Sequence, residues 1–278
     1  MDKEQTRIKQ SQIPGTCPSI GSETLTRLLT MSTFRQSARK TLNSILGRAG
    51  FQLIRPGEQV HIRPFISFTR TLSEATKAGL SVGDYIDQTF HEPGATQSTI
   101  DQLAAFGVLN KDVQAVCEVG PGSGRYLEKV QRLCAPRSHE IYETDQEWSD
   151  WLVRSYHVTA RQADGTSLRE TVAGSVDLVH AHKVFVYLPF VVTCQYFGEM
   201  IRVSRNGGRI VFDIVSEDCM PDATVVKWIA SRTYYRCMIP RSFVIDFFAR
   251  RQCSLQQSFF APMLPGQSEY LVFVKGGA

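Results

Sequence analysis

From Val113 onward the chain alternates short apolar runs with amphipathic stretches, and this alternation limits the fold more than any single motif does. The runs fall at 113–118, 139–144, 157–163, 175–181 and 208–215, with a helix expected in each gap. Strands separated by helices pair in parallel and are covered on both faces, so an α/β sheet is expected. Two more runs, 254–260 and 269–275, are joined by "APMLPGQS". That connection is too short for a crossover helix, so these two should form an antiparallel hairpin. Seven strands result, mostly parallel, with the last one antiparallel.

The residues before Val113 read differently. The first thirty are rich in Ser, Thr, Gln and Gly, and are expected to be mobile. Thr24 to Gly57 holds no acid, while Arg27, Arg35, Arg39, Lys40, Arg48 and Arg55 accompany apolar residues at helical spacing. A basic amphipathic helix follows, either docked on its own domain or lying on an anionic membrane surface as a peripheral contact. Two helical patterns, Thr71–Ala78 and Thr96–Phe106, flank the connector "GLSVGDYIDQTFHEPG". The chain thus divides into an N-terminal helical extension (1–60), a helical cap (61–112) and the sheet domain (113–278).

The first strand runs into "VCEVGPGSGRYLEKV". Gly120, Gly122 and Gly124 permit a tight turn that presents backbone N–H groups, and Ser123 sits among them. A dinucleotide fingerprint would place glycine at 125, where this chain has Arg125. Glu118, two residues ahead of the turn, would repel a pyrophosphate and suits a ligand bearing an ammonium group.

Composition excludes several classes. A net charge of +4 is too small to argue for nucleic acid. Seven cysteines without a C-x-x-C pair suit a reducing, cytoplasmic setting. No run approaches the ~18 apolar residues of a membrane span.

In this order of motifs the chain resembles the class I S-adenosylmethionine-dependent methyltransferases, over about residues 113–278. The resemblance implies a Rossmann-like fold, with S-adenosyl-L-methionine as cofactor. It implies that Glu118, Gly120, Gly122, Ser123 and Gly124 hold the methionine end. Glu143 of "EIYETD" would take the ribose hydroxyls, with Asp145 as the near alternative, and Asp164, Gly165 and Thr166 of "RQADGTSL" would take the adenine. The wording of "EVGPGSGRYLEKV" and "DLVHAHKVFVYLPF" is similar to sugar methyltransferases of bacterial polysaccharide and glycolipid biosynthesis. A small-molecule or lipid-linked saccharide is therefore the expected acceptor. A lipid or another small metabolite is the alternative, and a non-catalytic cofactor-binding partner subunit is a third reading.

A sugar hydroxyl attacks poorly until its proton leaves, so a base is expected near the end of the fourth strand. "HAHK" stands there, and alternation points His180 and His182 to one side. His182 is the expected base, with an acid limb near the ordinary histidine pKa; Lys183 is the expected donor to the acceptor, and His180 a cofactor-pocket residue. Asp213, Glu217 and Asp218 form the metal-assisted competitor, but their spacing matches no motif and no metal site is expected. Tyr85, Asp87, His91, Tyr234 and Tyr235 are candidate lid residues.

Overall fold

The computed structural model describes residues 67–232 and 236–277. The basic leader, the 1–60 extension, and Tyr234 and Tyr235 lie outside the described residues. Ile62–Ala278 forms one compact unit, distinct from Met1–His61.

Its centre is a seven-stranded sheet in the order β3-β2-β1-β4-β5-β7-β6. The strands are β1 Ala115–Val119, β2 Ser138–Tyr142, β3 Thr159–Ala160, β4 Val176–Ala181, β5 Ser204–Ile214, β6 Cys253–Met263 and β7 Gly266–Lys275. β1 to β5 pair in parallel, and β7 runs antiparallel to both β5 and β6. The expected seven strands and their senses are present. The fold is Rossmann-like, a mostly parallel sheet between helices.

Eight α-helices lie among the described residues: α1 Phe68–Ala78, α2 Val82–Phe90, α3 Ala95–Ala105, α4 Arg125–Cys134, α5 Gln146–Ser155, α6 Phe190–Val203, α7 Asp222–Ala230 and α8 Arg241–Ala249. Two regions differ from expectation. The gap between β3 and β4 holds turns and bends and no helix, because "ADGTSL" folds around Asp164, whose carboxylate collects Thr166 and Ser167. The stretch expected as a connector contains α2, which starts where the Ser81 side chain accepts from the Asp84 N–H at 3.1 Å.

Alternation along the central strands sorts two cores. Cys117, Val119, Val179, Ala181, Ile210 and Phe212 face one side and pack with Phe197, Phe248 and Phe273. Val116, Leu178 and Val211 face the other, under Ile100, Leu103, Tyr126 and Val130. Both faces are covered, which explains the nearly continuous apolar strands. No helix among the described residues is long and apolar enough to cross a membrane.

Candidate active site

At the carboxyl ends of β1, β2 and β4, where ligands of open α/β sheets bind, the structure has a cavity of about 520 Å³. One part of its wall is the glycine turn. All three glycines have positive φ, between 54° and 72°. At Gly120 a Cβ would come 2.9 Å from Val184 Cγ2, and at Gly124 it would come 2.7 Å from Leu152 Cδ2. Those two glycines are needed for close packing. At Gly122 a Cβ would meet nothing within 4 Å, and the residue lines the cavity with Gly120, Pro121 and Ser123. The space beside Gly122 is what a ligand approaching the backbone requires.

The cavity's next wall follows β2. Glu143 accepts the Gly122 N–H at 2.8 Å through one oxygen and the Asp145 N–H at 2.9 Å through the other. It is a carboxylate placed on the cavity wall, fixed to the glycine turn. Asp145 does something else, for it caps α5, accepting the N–H groups of Glu147 at 3.0 Å and Trp148 at 3.1 Å. The two acids that sequence left as alternatives are thus separated by their partners.

Six expected cofactor positions, Glu118, Gly124, Asp164, Gly165, Thr166 and His180, do not line the cavity. Asp164 turns its carboxylate onto its own loop. Burial opposes the charge there, but the bonds from Ser167 and Thr166 outweigh it and lower the carboxyl to about 2. With Gly165 and Thr166 it lies outside the cavity walls. Glu118 and His180 are also absent from the walls, since both are buried on the α4 side of the sheet. There Glu118 Oε2 lies 3.3 Å from His139 Nε2 and 3.8 Å from His180 Nε2. Strand pairing sets Glu118 directly beside His180. Burial outweighs the attraction of Glu118 and lowers the His180 imidazole to about 3. Sequence reasoning missed His139, although alternation in "SHEIY" puts it on the same face as Ile141.

His182 does reach the cavity. Its ring stacks on Tyr126 with centroids 4.0 Å apart, and its Nδ1 lies 3.1 Å from the Tyr270 hydroxyl. Burial, then the charges of Lys183 and Arg125, hold its pKa well below the ordinary histidine value. The expected acid limb near that ordinary value is therefore corrected, because the imidazole stays neutral further into acid. Tyr270 is pushed well above its usual pKa, first by burial and then by Asp213, so it remains a phenol.

Lys183 adopts φ 57°, strained for a side chain with a Cβ. Its N–H donates to Asp213 at 2.7 Å, and its ammonium reaches Asp213 at 3.1 Å and Ser268 Oγ at 2.6 Å. The ammonium is thus held by Asp213 and Ser268 and lies 5.1 Å from the centroid of the Tyr270 ring, while the residue lines the cavity. Asp213 is therefore engaged by Lys183, and Glu217 accepts from the Arg241 N–H at 2.8 Å. Among the described residues, Asp213, Glu217 and Asp218 form no group with metal-ligand spacing.

The cap closes the cavity with Ile86, Phe90 and His91. Asp87 does not line it, being buried against Arg125 at 2.8 Å. Tyr85 packs edge-on to Phe90 and also lies outside the walls. Arg125 and Arg236, neither anticipated from sequence, complete the lining.

Comparison with known proteins accords with this geometry. Residues 117–212 match a family described as a methyltransferase domain. A comparison with curated protein sequences finds no match. The fold is similar to magnesium protoporphyrin IX methyltransferase from Synechocystis PCC 6803 with bound SAH, at a TM-score of 0.54 and 13% identity over 87% of this chain and 100% of that one. It is similar to an O-methyltransferase family protein from Burkholderia thailandensis, at 0.54 and 13% over 76% and 68%. A third similar structure is geranyl diphosphate C-methyltransferase from Streptomyces coelicolor A3(2), at 0.50 and 13% over 64% and 77%. Over residues 117–212 the chain thus matches a methyltransferase domain, and it shares its fold with these solved structures.

Proposed function

We propose that this methyltransferase acts on a hydroxyl of a saccharide or glycosylated intermediate. The observation that carries the reading is the shared cavity, which sets Gly122 and Glu143 in one wall and the neutral imidazole of His182 in another. The open space at Gly122 fits close backbone approach by the methionine end, and the Glu143 carboxylate fits a vicinal diol, accepting from two hydroxyls. When bound, S-adenosylmethionine supplies a methyl group activated on a sulfonium.

The protein's own residues then position the acceptor and move its proton. The cavity walls hold the acceptor in line and exclude water. His182 takes the hydroxyl proton. The Tyr270 phenol donates toward the Tyr126 hydroxyl at 3.4 Å and accepts from His182 Nδ1–H, which leaves Nε2 with the lone pair. Lys183, which lines the cavity, steadies the oxygen that loses its proton. His91 and Phe90 from the cap supply part of the lid over the acceptor. The acceptor class rests on the resemblance of "EVGPGSGRYLEKV" and "DLVHAHKVFVYLPF" to sugar methyltransferases.

The test is methylation of a panel of nucleotide-linked and lipid-linked sugars, read by mass spectrometry, beside His182→Ala. The variant should lose about a hundredfold or more in kcat while binding S-adenosylhomocysteine as the parent does. A single-turnover rate within a factor of two of the parent would remove His182 as the base. Methyl transfer to lipids or aromatic metabolites alone would remove the saccharide.

A further inference from the structure

The α4 side of the sheet buries three polar side chains that the cavity does not use. Glu118, His139 and His180 are each at most 2% exposed, and none of them lines the cavity. Glu118 Oε2 and both ring nitrogens of each histidine are shut off from solvent and make no hydrogen bond. Buried polar groups need partners, and a carboxylate needs one more than a neutral group does.

Strand pairing makes these atoms converge. Val116 and Glu118 share one face of β1, and the register sets His139 of β2 beside Val116 and His180 of β4 beside Glu118. One strand thus supplies an acid, and its two neighbours supply an imidazole each. Glu118 Oε2 lies 3.3 Å from His139 Nε2 and 3.8 Å from His180 Nε2, and the three ligand atoms all lie within 4.8 Å of one another. Charge-assisted hydrogen bonds are shorter, about 2.7–2.9 Å. A tetrahedral zinc with bonds of about 2.0–2.1 Å sets its ligands roughly 3.4 Å apart, which is near the spacing found. Among the described residues, no other group of His, Cys, Asp and Glu brings its ligand atoms this close.

We infer that Glu118, His139 and His180 hold a divalent transition-metal ion of the zinc type, bound between β1, β2 and β4. Two imidazoles and one carboxylate suit zinc, whereas magnesium and calcium prefer oxygen alone. Three protein ligands leave the fourth position of a tetrahedron to a water. The ion answers the buried carboxylate and clamps three strands together just before the glycine turn, so its role is structural. It stands apart from the cavity and does not depend on which acceptor is methylated. Coordination needs neutral imidazoles and an ionised carboxylate, so acid strips the ion. The ligands come from three strands with no motif spacing, which is why the sequence carries no metal signature.

The experiment uses the full chain, purified without chelator and analysed for metal by mass spectrometry, then stripped with chelator in mild denaturant and refolded with Zn2+ or Co2+. The expected result is zinc retained in equimolar amount, a higher melting temperature with Zn2+ than without it, and the strong visible bands of four-coordinate cobalt. Glu118→Gln and His139→Asn should each weaken zinc binding by more than the ~10–100-fold that follows loss of a group behind a ligand. His157→Asn, at an exposed histidine, should change nothing. Zinc that neither stays with the folded parent nor raises its melting temperature overturns the inference. Retention untouched by Glu118→Gln and His139→Asn overturns it as well. Thiolate-to-cobalt bands in the parent, which need no variant to be seen, would assign the ion to cysteines and overturn it independently.

Discussion

Asp87, on the second turn of the cap helix α2, meets Arg125, the first residue of α4, at 2.8 Å in a buried ion pair. The same carboxylate accepts from the Thr96 N–H and hydroxyl. One helical turn earlier, Gly83 lets α2 approach so closely that a Cβ would sit 3.1 Å from Arg125 Cβ. The cap is thereby fastened to the helix that begins at the glycine turn, so the cap side and the glycine-turn side of the cavity share one anchor.

Removing Asp87 strands a buried guanidinium. Asp87→Ala should lower stability by about 3 kcal/mol, within the range for breaking a buried pair. Denaturant titrations of Asp87→Ala, Arg125→Ala and the double variant check this, since a double-mutant cycle isolates the coupling. Additive losses would show that the pair does not fasten the cap.

Glu143 and Asp145 should separate cleanly. Glu143→Ala is expected to weaken S-adenosylhomocysteine by about 1.5–3 kcal/mol, because a charged acceptor is lost. Asp145→Ala should leave that affinity nearly intact and cost about 1 kcal/mol of stability, since it removes the cap of α5. Calorimetry and thermal melts on both variants decide; a binding loss confined to Asp145→Ala would reverse the assignment.

The glycines predict a similar division. Gly124→Ala should destabilise strongly, as its Cβ would press on Leu152, whereas Gly122→Ala adds a methyl facing open space and should chiefly impair cofactor binding. Each also bears the strain of a positive φ, roughly 1 kcal/mol. Equal binding defects at equal stability would refute the difference.

Acid should weaken the fold through the buried histidines. His180 is lowered to about 3 and His182 well below its ordinary value of 6.5, while the unfolded chain titrates near that value. Below pH 6.5 the unfolded state therefore binds protons that the folded state refuses. Their contribution is complete above the ordinary histidine pKa and is lost as pH falls toward the folded pKa values, by on the order of 1.4 kcal/mol per pH unit for each histidine. Urea melts stepped from neutral pH down to about pH 4 should show this slope, and His180→Asn should reduce it by about one proton. An unchanged slope would mean that His180 is protonated in the fold.

Much of the fold could be read from residues because the strands are buried on both faces and appear as apolar runs. α2 was hidden, since Gly83 and the Pro93-Gly94 pair look like loop punctuation, whereas Gly83 in fact serves a close helix contact. The missing helix before β4 was hidden for a related reason, because one carboxylate, Asp164, organises the turn through four bonds. At the site, Gly122, Glu143 and His182 could be placed because strand ends and alternation fix them. Arg236 could not, because nothing local in "RTYYRCMIP" shows that it lies against Tyr187 and Leu264.

β7 lies between β5 and β6, although it follows β6 in the chain. A ribosome therefore delivers the outer strand before the inner one, and β6 has no edge to join until β7 arrives. Tyr270 sits on that late strand, 88 positions after the histidine it touches. The imidazole of His182 thus gains its Tyr270 partner only in the closing stage of synthesis.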